Sequence, residues 1–471
     1  MKHTYLIILL CLTAPSVIKA QWSYKEGTDI EVDSTWWHLY NQFSEKDWEA
    51  SNFATEEEMA WFNDARYGMF IHFGLSTYKG EELSWGVCET RKAPDAGSGP
   101  YPDSVWTQWY KEFRLEKFDA KSWVKLAQDA GMKYIVAIAK HHDGFHLWDT
   151  KHSDFSIANT PFGRDYLKEL SDACHEAGMK FGIYYSQRDW YHPDYAPVDV
   201  GNSANDPGKS GRYQMKKGAV NHKVLPGASH QKYINYQFDV VKELCTNYGK
   251  VDVFWFDALW FGGMFTAEMW ESEKLTRMIR ELQPGIIINN RASIPGDFDT
   301  PEQEVGMYQE RPWESCMTLC ETWSWSPTAV KSKKEIIDML IATASGNGNL
   351  LLSWGPQWNG AFDPNQIERL KEVSGWLKQY GHTIYGTKGG PWLPRTWGGS
   401  THKDNKIYVH VTDPVNTGLK LELSAITDKI QSAKCITGGE VSFDQNKNET
   451  IINIENPNPD AVSIIVELTL E

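Results

Sequence analysis

Several things are scarce in this chain of 471 residues. Basic residues are in deficit, with 47 Lys plus Arg against 62 Asp plus Glu and a formal net charge of −15. A nucleic acid or an anionic membrane surface needs a compensating basic face, and the sequence shows none. No G-x-G-x-x-G and no P-loop occurs, so the common nucleotide-phosphate cradles are missing. No C-x-x-C occurs either, which argues against a structural zinc site. Cysteine is sparse, at 7 residues. One of them, Cys11, lies in the first twenty residues. The others, Cys88, Cys174, Cys245, Cys316, Cys320 and Cys435, are scattered over a chain with ample core, so free buried thiols are expected rather than a disulfide framework. Cys316 and Cys320 are the only close pair. No apolar run approaches the roughly 20 residues of a membrane-spanning helix, so no membrane insertion is expected.

The longest apolar stretch opens the chain. Residues 1–20 combine Lys2 and His3, the short run Tyr5–Leu12 and the end Val17-Ile18-Lys19-Ala20, the pattern of a secretory signal. An exported protein, periplasmic or secreted, is the expectation.

What is abundant is tryptophan, with 22 residues among 13% aromatics. Indole offers a flat apolar face and one N–H that wants a partner, which suits sugar-binding walls and large cores alike. Hydrophobic residues at 41% and charged residues at 23% are an ordinary globular balance. The length exceeds the usual single domain of about 100–200 residues, so two domains are expected.

The middle of the chain alternates strand and helix. Strands are expected at 68–73, 133–139, 180–186, 251–256, 286–290 and 350–353. Helices are expected at 122–130, 166–177, 232–248, 267–282, 334–344 and 366–380. The strands are continuous apolar runs, as a sheet covered on both faces requires. Ala130-Gly131-Met132-Lys133-Tyr134 recurs as Ala177-Gly178-Met179-Lys180-Phe181, a repeated helix–Gly–strand joint that points to a parallel sheet wound with helices. Six strands are clear and residues 300–325 have room for two more. The economical closure is a (β/α)8 TIM-like barrel, with a doubly wound open sheet as runner-up.

Beyond about residue 390 the pattern turns to short alternating strands at 406–411, 419–423, 432–436, 451–454 and 461–468, an antiparallel β-sandwich. The fold class is thus α/β, a barrel with a C-terminal sandwich. The organisation is a signal at 1–20, a helical lead-in at 21–60, the barrel at 61–388 and the sandwich at 389–471. A Gly/Ser/Asn/Lys-rich insertion at 196–229 leaves the face where a barrel binds substrate. It reads as a lid or subsite wall, or as a surface loop without a role.

On a barrel, chemistry sits where strands end. His72 ends the first strand and Lys140-His141-His142-Asp143 the second. Tyr185 and Ser186 end the third, Asp257 the fourth, and Asn290 and Arg291 the fifth. Asp257 follows the apolar Phe254-Trp255-Phe256, where a charge is costly unless something pairs with it or uses it. Glu302 follows about one βα unit later. Two carboxylates facing one pocket are what glycoside hydrolysis needs. A separation of about 5–5.5 Å goes with retention, and about 6.5–9.5 Å with inversion. His141 and His142 are adjacent on a strand, so they should point to opposite sides and not share a metal; donors to sugar hydroxyls suit them better. Arg291 would balance the carboxylates.

These motifs together resemble the retaining α-L-fucosidases of glycoside hydrolase family 29: Met69-Phe70-Ile71-His72-Phe73-Gly74, Lys140-His141-His142-Asp143-Gly144-Phe145, Gly182-Ile183-Tyr184-Tyr185-Ser186, Trp255-Phe256-Asp257 and Thr300-Pro301-Glu302-Gln303. The match covers roughly residues 55–385. The last motif, with Asn289-Asn290-Arg291 upstream, looks like the branch acting on α-1,3/1,4 linkages. The resemblance implies Asp257 as nucleophile and Glu302 as acid/base, with Glu314 in Trp313-Glu314 as the alternative. It implies that His72, His141, His142, Tyr185 and Arg291 line the fucose pocket. Glu82 and Trp85 stand in for a Glu-Trp pair, through Glu82-Leu83-Ser84-Trp85. Two departures, Ala258 after the nucleophile and Leu352-Ser353-Trp354-Gly355-Pro356, imply a reshaped rim.

The activity so implied is exo-acting release of terminal L-fucose by double displacement. The partner is a fucosylated oligosaccharide or glycoconjugate glycan, with no cofactor, no metal and no nucleic acid. The alternatives are an exo-glycosidase on the same scaffold for a related galacto-configured sugar, or a non-catalytic fucose-binding homologue. Trp148, Trp190, Trp260, Trp323 and Trp325 are either sugar platforms or core.

Overall fold

The computed structural model describes residues 43–88, 100–195, 227–257, 267–305 and 307–471. The signal segment, most of the insertion, Ala258 and Trp260 lie outside the described residues. No helix among the described residues is long and apolar enough to cross a membrane.

Seven parallel strands form one sheet. They are β1 (Tyr67–Ile71), β2 (Tyr134–Lys140), β3 (Lys180–Ser186), β4 (Val253–Asp257), β5 (Ile287–Ile288), β6 (Glu314–Thr318) and β7 (Asn349–Trp354), in the order β5-β4-β3-β2-β1-β7-β6. Every residue of β1, β2, β4, β6 and β7 is buried, as continuous apolar strands covered on both faces should be. The two ends of this curled sheet approach each other across residues 298–302. Isolated parallel bridges join Asn289 to Phe298, Asp299 to Trp313 and Glu302 to Cys316. The region with room for two strands therefore holds one regular strand and one stretch paired only by bridges. Asp-Phe-Asp-Thr-Pro has too little apolar repetition, and a proline besides, to sustain a ladder.

Helices cover the outside: α1 (Glu56–Ala65), α2 (Ala120–Asp129), α3 (Tyr166–Glu176), α4 (His230–Asn247), α5 (Ser272–Leu282), α6 (Lys333–Ser345) and α7 (Pro364–Tyr380). All but α5 are capped at the N-terminus, by Thr55, Asp119, Asp165, Ser229, Ser332 and Asp363, whose side chains accept from first-turn N–H groups. Gly131 and Gly178 follow the last turns of α2 and α3 at φ +90° and +66°, left-handed values that only glycine takes cheaply. That is the physical content of the Ala-Gly-Met-Lys repeat. The expected helix 267–282 is instead two, Ala267–Trp270 and α5, separated by Glu271 at φ 50°.

Strand register decides which side chains point inward. Gly68 pairs with Tyr134, Phe70 with Val136 and with Ser353, Gly182 with Val253, and Tyr184 with Trp255. Gly68 has no side chain because the Tyr134 ring occupies its place: a Cβ there would sit 2.4 Å from that ring. Tyr134 and Trp255 both donate to the buried Glu314, Trp255 Nε1 at 3.0 Å. Phe62 of α1 packs on Tyr134 and on Phe298. The interior of the sheet is thus filled at the strand starts, and the space the strands enclose opens toward their ends.

The C-terminal region carries two antiparallel sheets. One runs β8-β9-β10-β15-β12 (Lys388–Gly389, Gly398–Lys403, Lys406–Val411, Ile464–Leu470, Ile430–Cys435). The other runs β11-β14-β13 (Lys420–Ser424, Glu449–Glu455, Glu440–Gln445). Val409, Val411, Leu421, Ile452, Ile454 and Val466 form their shared apolar cluster. Strands β8, β9 and β13 were not expected. Gly-Gly-Ser-Thr-His-Lys lacks the apolar alternation that marks a strand, and Glu-Val-Ser-Phe-Asp-Gln alternates only weakly, with Val441 and Phe443 half-buried against the cluster. Backbone pairing to the more apolar β10 and β14 holds β9 and β13, and β8 pairs at the edge with β9.

Candidate active site

The ends of the strands surround one cavity of about 300 Å³. Asp257, the last residue of β4, stands at its floor and is almost fully buried. Its Oδ2 accepts from the Tyr184 hydroxyl at 2.6 Å and its Oδ1 from Arg291 Nη1 at 3.1 Å. Burial pushes the Asp257 carboxyl up to about 6, while Arg291 and the Tyr184 hydroxyl pull it down and Glu302 adds a push upward.

Arg291 ties the site together. Its Nη2 donates to Glu302 Oε2 at 2.9 Å, so one guanidinium bridges both carboxylates. Its Nε donates to Thr300 Oγ1 at 2.9 Å and its Nη2 to the Thr300 carbonyl at 3.0 Å. The guanidinium carbon lies 4.7 Å from the Trp255 ring centre. The fork geometry is one that Lys cannot reproduce.

The two candidates for the second carboxylate differ in placement. Glu302 lines the cavity, and its side chain keeps 20% exposure. Glu314 is 1% exposed, below the cavity floor, with both oxygens taken by Tyr134 and Trp255. Burial pushes Glu314 up to about 7, but neither a leaving group nor water reaches it from the cavity wall. Glu82 accepts from the Trp323 backbone N–H at 2.9 Å. Burial raises it to about 7, with Glu302 adding to the rise. Glu82 therefore orders the Trp323 turn at the rim.

Three imidazoles line the wall. His72 Nδ1 lies 2.9 Å from Ser353 Oγ, His141 Nδ1 2.5 Å from Ser84 Oγ, and His142 Nδ1 2.6 Å from Ser186 Oγ. All three are buried, and burial lowers each well below the ordinary imidazole range, His141 to about 3. They are neutral rings.

Two expectations are corrected here. His141 and His142 do not part to opposite sides; ligand atoms of His141, His142 and Asp257 all lie within 4.8 Å of one another. The register shifts between Ile138 and Lys140, and β2 ends at Lys140, so strand alternation no longer governs the two histidines. This donor set is the one group among the described residues that could hold a metal ion, although the Arg291 cation on Asp257 opposes one. The second correction is Tyr185, which does not line the cavity. It pairs with Phe256 on the helix-facing side of β3, with Lys140 Nζ 4.8 Å from its ring centre. Tyr184 is the cavity residue. The period of two was available in the sequence, since Trp255 and Asp257 must share a face, but which neighbour in Tyr184-Tyr185 joins them needs the register.

Among the tryptophans, Trp85, Trp255 and Trp323 line the cavity. Trp148 and Trp190 are core, the first donating to Glu243 at 2.8 Å. Trp325 donates to Asp363 at 3.3 Å. Cys316 also faces the cavity, 3.8 Å from Arg291 Nη2. It and Cys174, Cys245, Cys320 and Cys435 are free and buried.

A pocket that offers paired carboxylates to a glycosidic bond and neutral imidazoles to hydroxyls, at the C-terminal ends of parallel strands, is that of a glycoside hydrolase. Comparison with known proteins narrows the class. Residues 37–382 match the model of the family described as Alpha-L-fucosidase, and the chain belongs to that family. Its fold is similar to alpha-L-fucosidase isoenzyme 1 from Paenibacillus thiaminolyticus, with a TM-score of 0.71 and 33% identity over 88% of this chain and 99% of that one. It is also similar to a GH29 alpha-L-fucosidase from Bacteroides thetaiotaomicron, solved as a trapped covalent intermediate with 2-fluoro-fucosyl fluoride, at a TM-score of 0.73 and 25% identity over 89% and 97% of the two chains. Human plasma alpha-L-fucosidase is 28% identical over 379 residues, 74% of this chain and 75% of that protein.

Proposed function

We propose that this chain is an exo-acting, retaining α-L-fucosidase that releases terminal L-fucose from fucosylated oligosaccharides or glycoconjugates. The observation that carries the reading is the single guanidinium of Arg291 bridging Asp257 and Glu302 at the cavity floor. It holds two carboxylates in fixed relation to one sugar-sized space. The trapped covalent intermediate of the Bacteroides relative supports retention.

In the first step an Asp257 oxygen attacks the anomeric carbon as the glycosidic C–O bond breaks. The proton of Glu302 passes to the leaving oxygen. The product is a fucosyl ester on Asp257 and a Glu302 carboxylate. In the second step Glu302 takes a proton from water, whose oxygen attacks the same carbon and expels Asp257. Arg291 and the Tyr184 hydroxyl stabilise the Asp257 carboxylate on departure. His72, His141 and His142 address sugar hydroxyls, and Trp85 and Trp323 supply flat apolar walls.

The preferred linkages on this reading are α-1,3 and α-1,4, by the Thr300-Pro301-Glu302-Gln303 motif. The parallel sheet with its bridged gap is a (β/α)8-type barrel, residues 389–471 are a β-sandwich, and the chain is exported.

The test is turnover of an aryl α-L-fucoside by the wild type and by Asp257→Gly, with and without azide. Loss of activity on the order of 10⁴-fold or more, restored in part by azide as a fucosyl azide, is expected. Retention of a tenth of wild-type activity would remove Asp257 from the mechanism. Incubation with 2-, 3- and 4-fucosylated oligosaccharides, reading released fucose, decides the linkage. Rapid turnover of another aryl glycoside with none of the fucoside, or tight fucose binding without turnover, would overturn the reading.

A further inference from the structure

Each cavity imidazole is backed by a different buried serine, and the three serines do not present the same hydrogen-bonding face. A serine hydroxyl owns one hydrogen and can accept on its lone pairs. Where that hydrogen goes dictates which imidazole nitrogen carries its own.

Ser353 Oγ donates to the Trp323 carbonyl at 3.0 Å. A carbonyl can only accept, so the Ser353 hydrogen is committed there. Toward His72 Nδ1, Ser353 is then an acceptor, and Nδ1 must carry the hydrogen. Ser186 repeats the arrangement, donating to the Arg188 carbonyl at 2.9 Å and so accepting from His142 Nδ1. Ser84 is the reverse case. Its oxygen accepts from the Asp143 backbone N–H at 2.9 Å, and the acceptor in reach of its hydrogen is His141 Nδ1. The rings are neutral, so each has one N–H and one lone pair.

We propose that Ser353, Ser186 and Ser84 are positioning residues that set the tautomers of His72, His142 and His141. The cavity then presents an Nε2 lone pair from His72 and an Nε2–H from His141, while His142 Nε2 lies 3.9 Å from Asp257 Oδ2. A sugar that fits this wall donates a hydroxyl hydrogen to His72 and accepts at one oxygen from His141. A sugar with a hydrogen or an ether in place of that donating hydroxyl leaves a buried lone pair unmet. The kinetic part of this inference rests on the fucosidase reading; the tautomer assignment does not.

The test is long-range ¹H–¹⁵N spectroscopy of the free full-length protein labelled with ¹⁵N-histidine, near neutral pH. The three rings are assigned by the signal lost in each His→Gln variant. The expected result is the Nδ1–H form for His72 and His142 and the Nε2–H form for His141. Ser353→Ala should alter the His72 pattern alone. It should raise KM for an aryl fucoside roughly 3- to 10-fold, the worth of one hydrogen bond, with a smaller effect on kcat, and Ser353→Thr should restore both readouts. An Nε2–H signal for His72 or His142 in the wild type overturns the proposal without recourse to a variant. So does a fall in kcat at unchanged KM in a folded Ser353→Ala. A wild type that turns over no fucoside sinks the fucosidase reading instead, and the spectra still decide the tautomers.

Discussion

The Tyr184 hydroxyl donates to Asp257 Oδ2 at 2.6 Å, while its neighbour Tyr185 faces the helices with no partner for its buried hydroxyl among the described residues. Two adjacent tyrosines therefore separate a cavity hydroxyl from a packing one. On the proposed mechanism Asp257 must be ionised to attack. Burial places its carboxyl at about 6, and the Tyr184 hydrogen bond favours the ionised form. Activity should fall as pH drops through about 6. In Tyr184→Phe this acid limb should move to higher pH, and kcat/KM near neutrality should fall roughly tenfold, the worth of a hydrogen bond to a charged group. Tyr185→Phe should leave the pH–rate profile in place. Profiles of kcat/KM for the two variants check this.

Arg291→Lys should be severe although the charge is kept. A single ammonium cannot reach Asp257, Glu302, Thr300 Oγ1 and the Thr300 carbonyl together. Two carboxylates are left facing one cavity with less compensation, so Asp257 titrates higher. Complete removal of the charge, in Arg291→Met, should cost about 3–5 kcal/mol of stability. Denaturant unfolding of both variants, alongside kcat/KM, reads the two effects separately.

Glu302→Gln should hit poor leaving groups hardest. A leaving group that departs without a proton needs no acid for the first step. Fucosides with activated and unactivated aryl groups should therefore diverge in this variant, the gap reaching about 10²–10⁴ in rate. Equal losses for both would assign the acid to another residue.

Glu314→Gln should keep activity and change the pH dependence of stability. Gln can accept from Trp255 Nε1 and donate to the Tyr134 hydroxyl, so the buried polar contacts survive. Burial lifts Glu314 in the folded chain to about 7, above its ordinary value of 4.5. A carboxyl raised in the folded state holds its proton better there than when unfolded. Its contribution is full below about 4.5 and is lost as pH rises to about 7. The decline of the melting temperature over that window should be shallower in Glu314→Gln by one proton's share. Asp257, Glu82 and Asp143 are raised as well and keep the remaining slope. Melting curves across the window test this, and unchanged slopes would mean that Glu314 is ionised in the fold.

The alternation of strand and helix was legible because its signals are local. Apolar runs and glycine after the last turn each act within a few residues. Strand β3 was read at its observed bounds, and α3 and α7 within two residues of them. The C-terminal strands β8, β9 and β13 escaped because they are short or largely polar and take their stability from hairpin partners, Lys403 pairing with Lys406 and Gln445 with Thr450. The strand ends likewise named Asp257, Glu302, Arg291 and the three histidines as cavity residues, since a polar side chain closing an apolar strand is costly without a use.

What the tertiary structure alone decided is which way those side chains face and what stands behind them. Sequence carries the period of two along a strand but not its phase against the next strand, so it could not separate Tyr184 from Tyr185, nor Glu302 at the cavity from Glu314 beneath it. The meeting of His141 and His142 depends on a shift in ladder register at Lys140. The serines behind the histidines come from segments up to 281 residues away. Contacts of that kind follow from the closing of the sheet, and no pattern within a window of the chain encodes them.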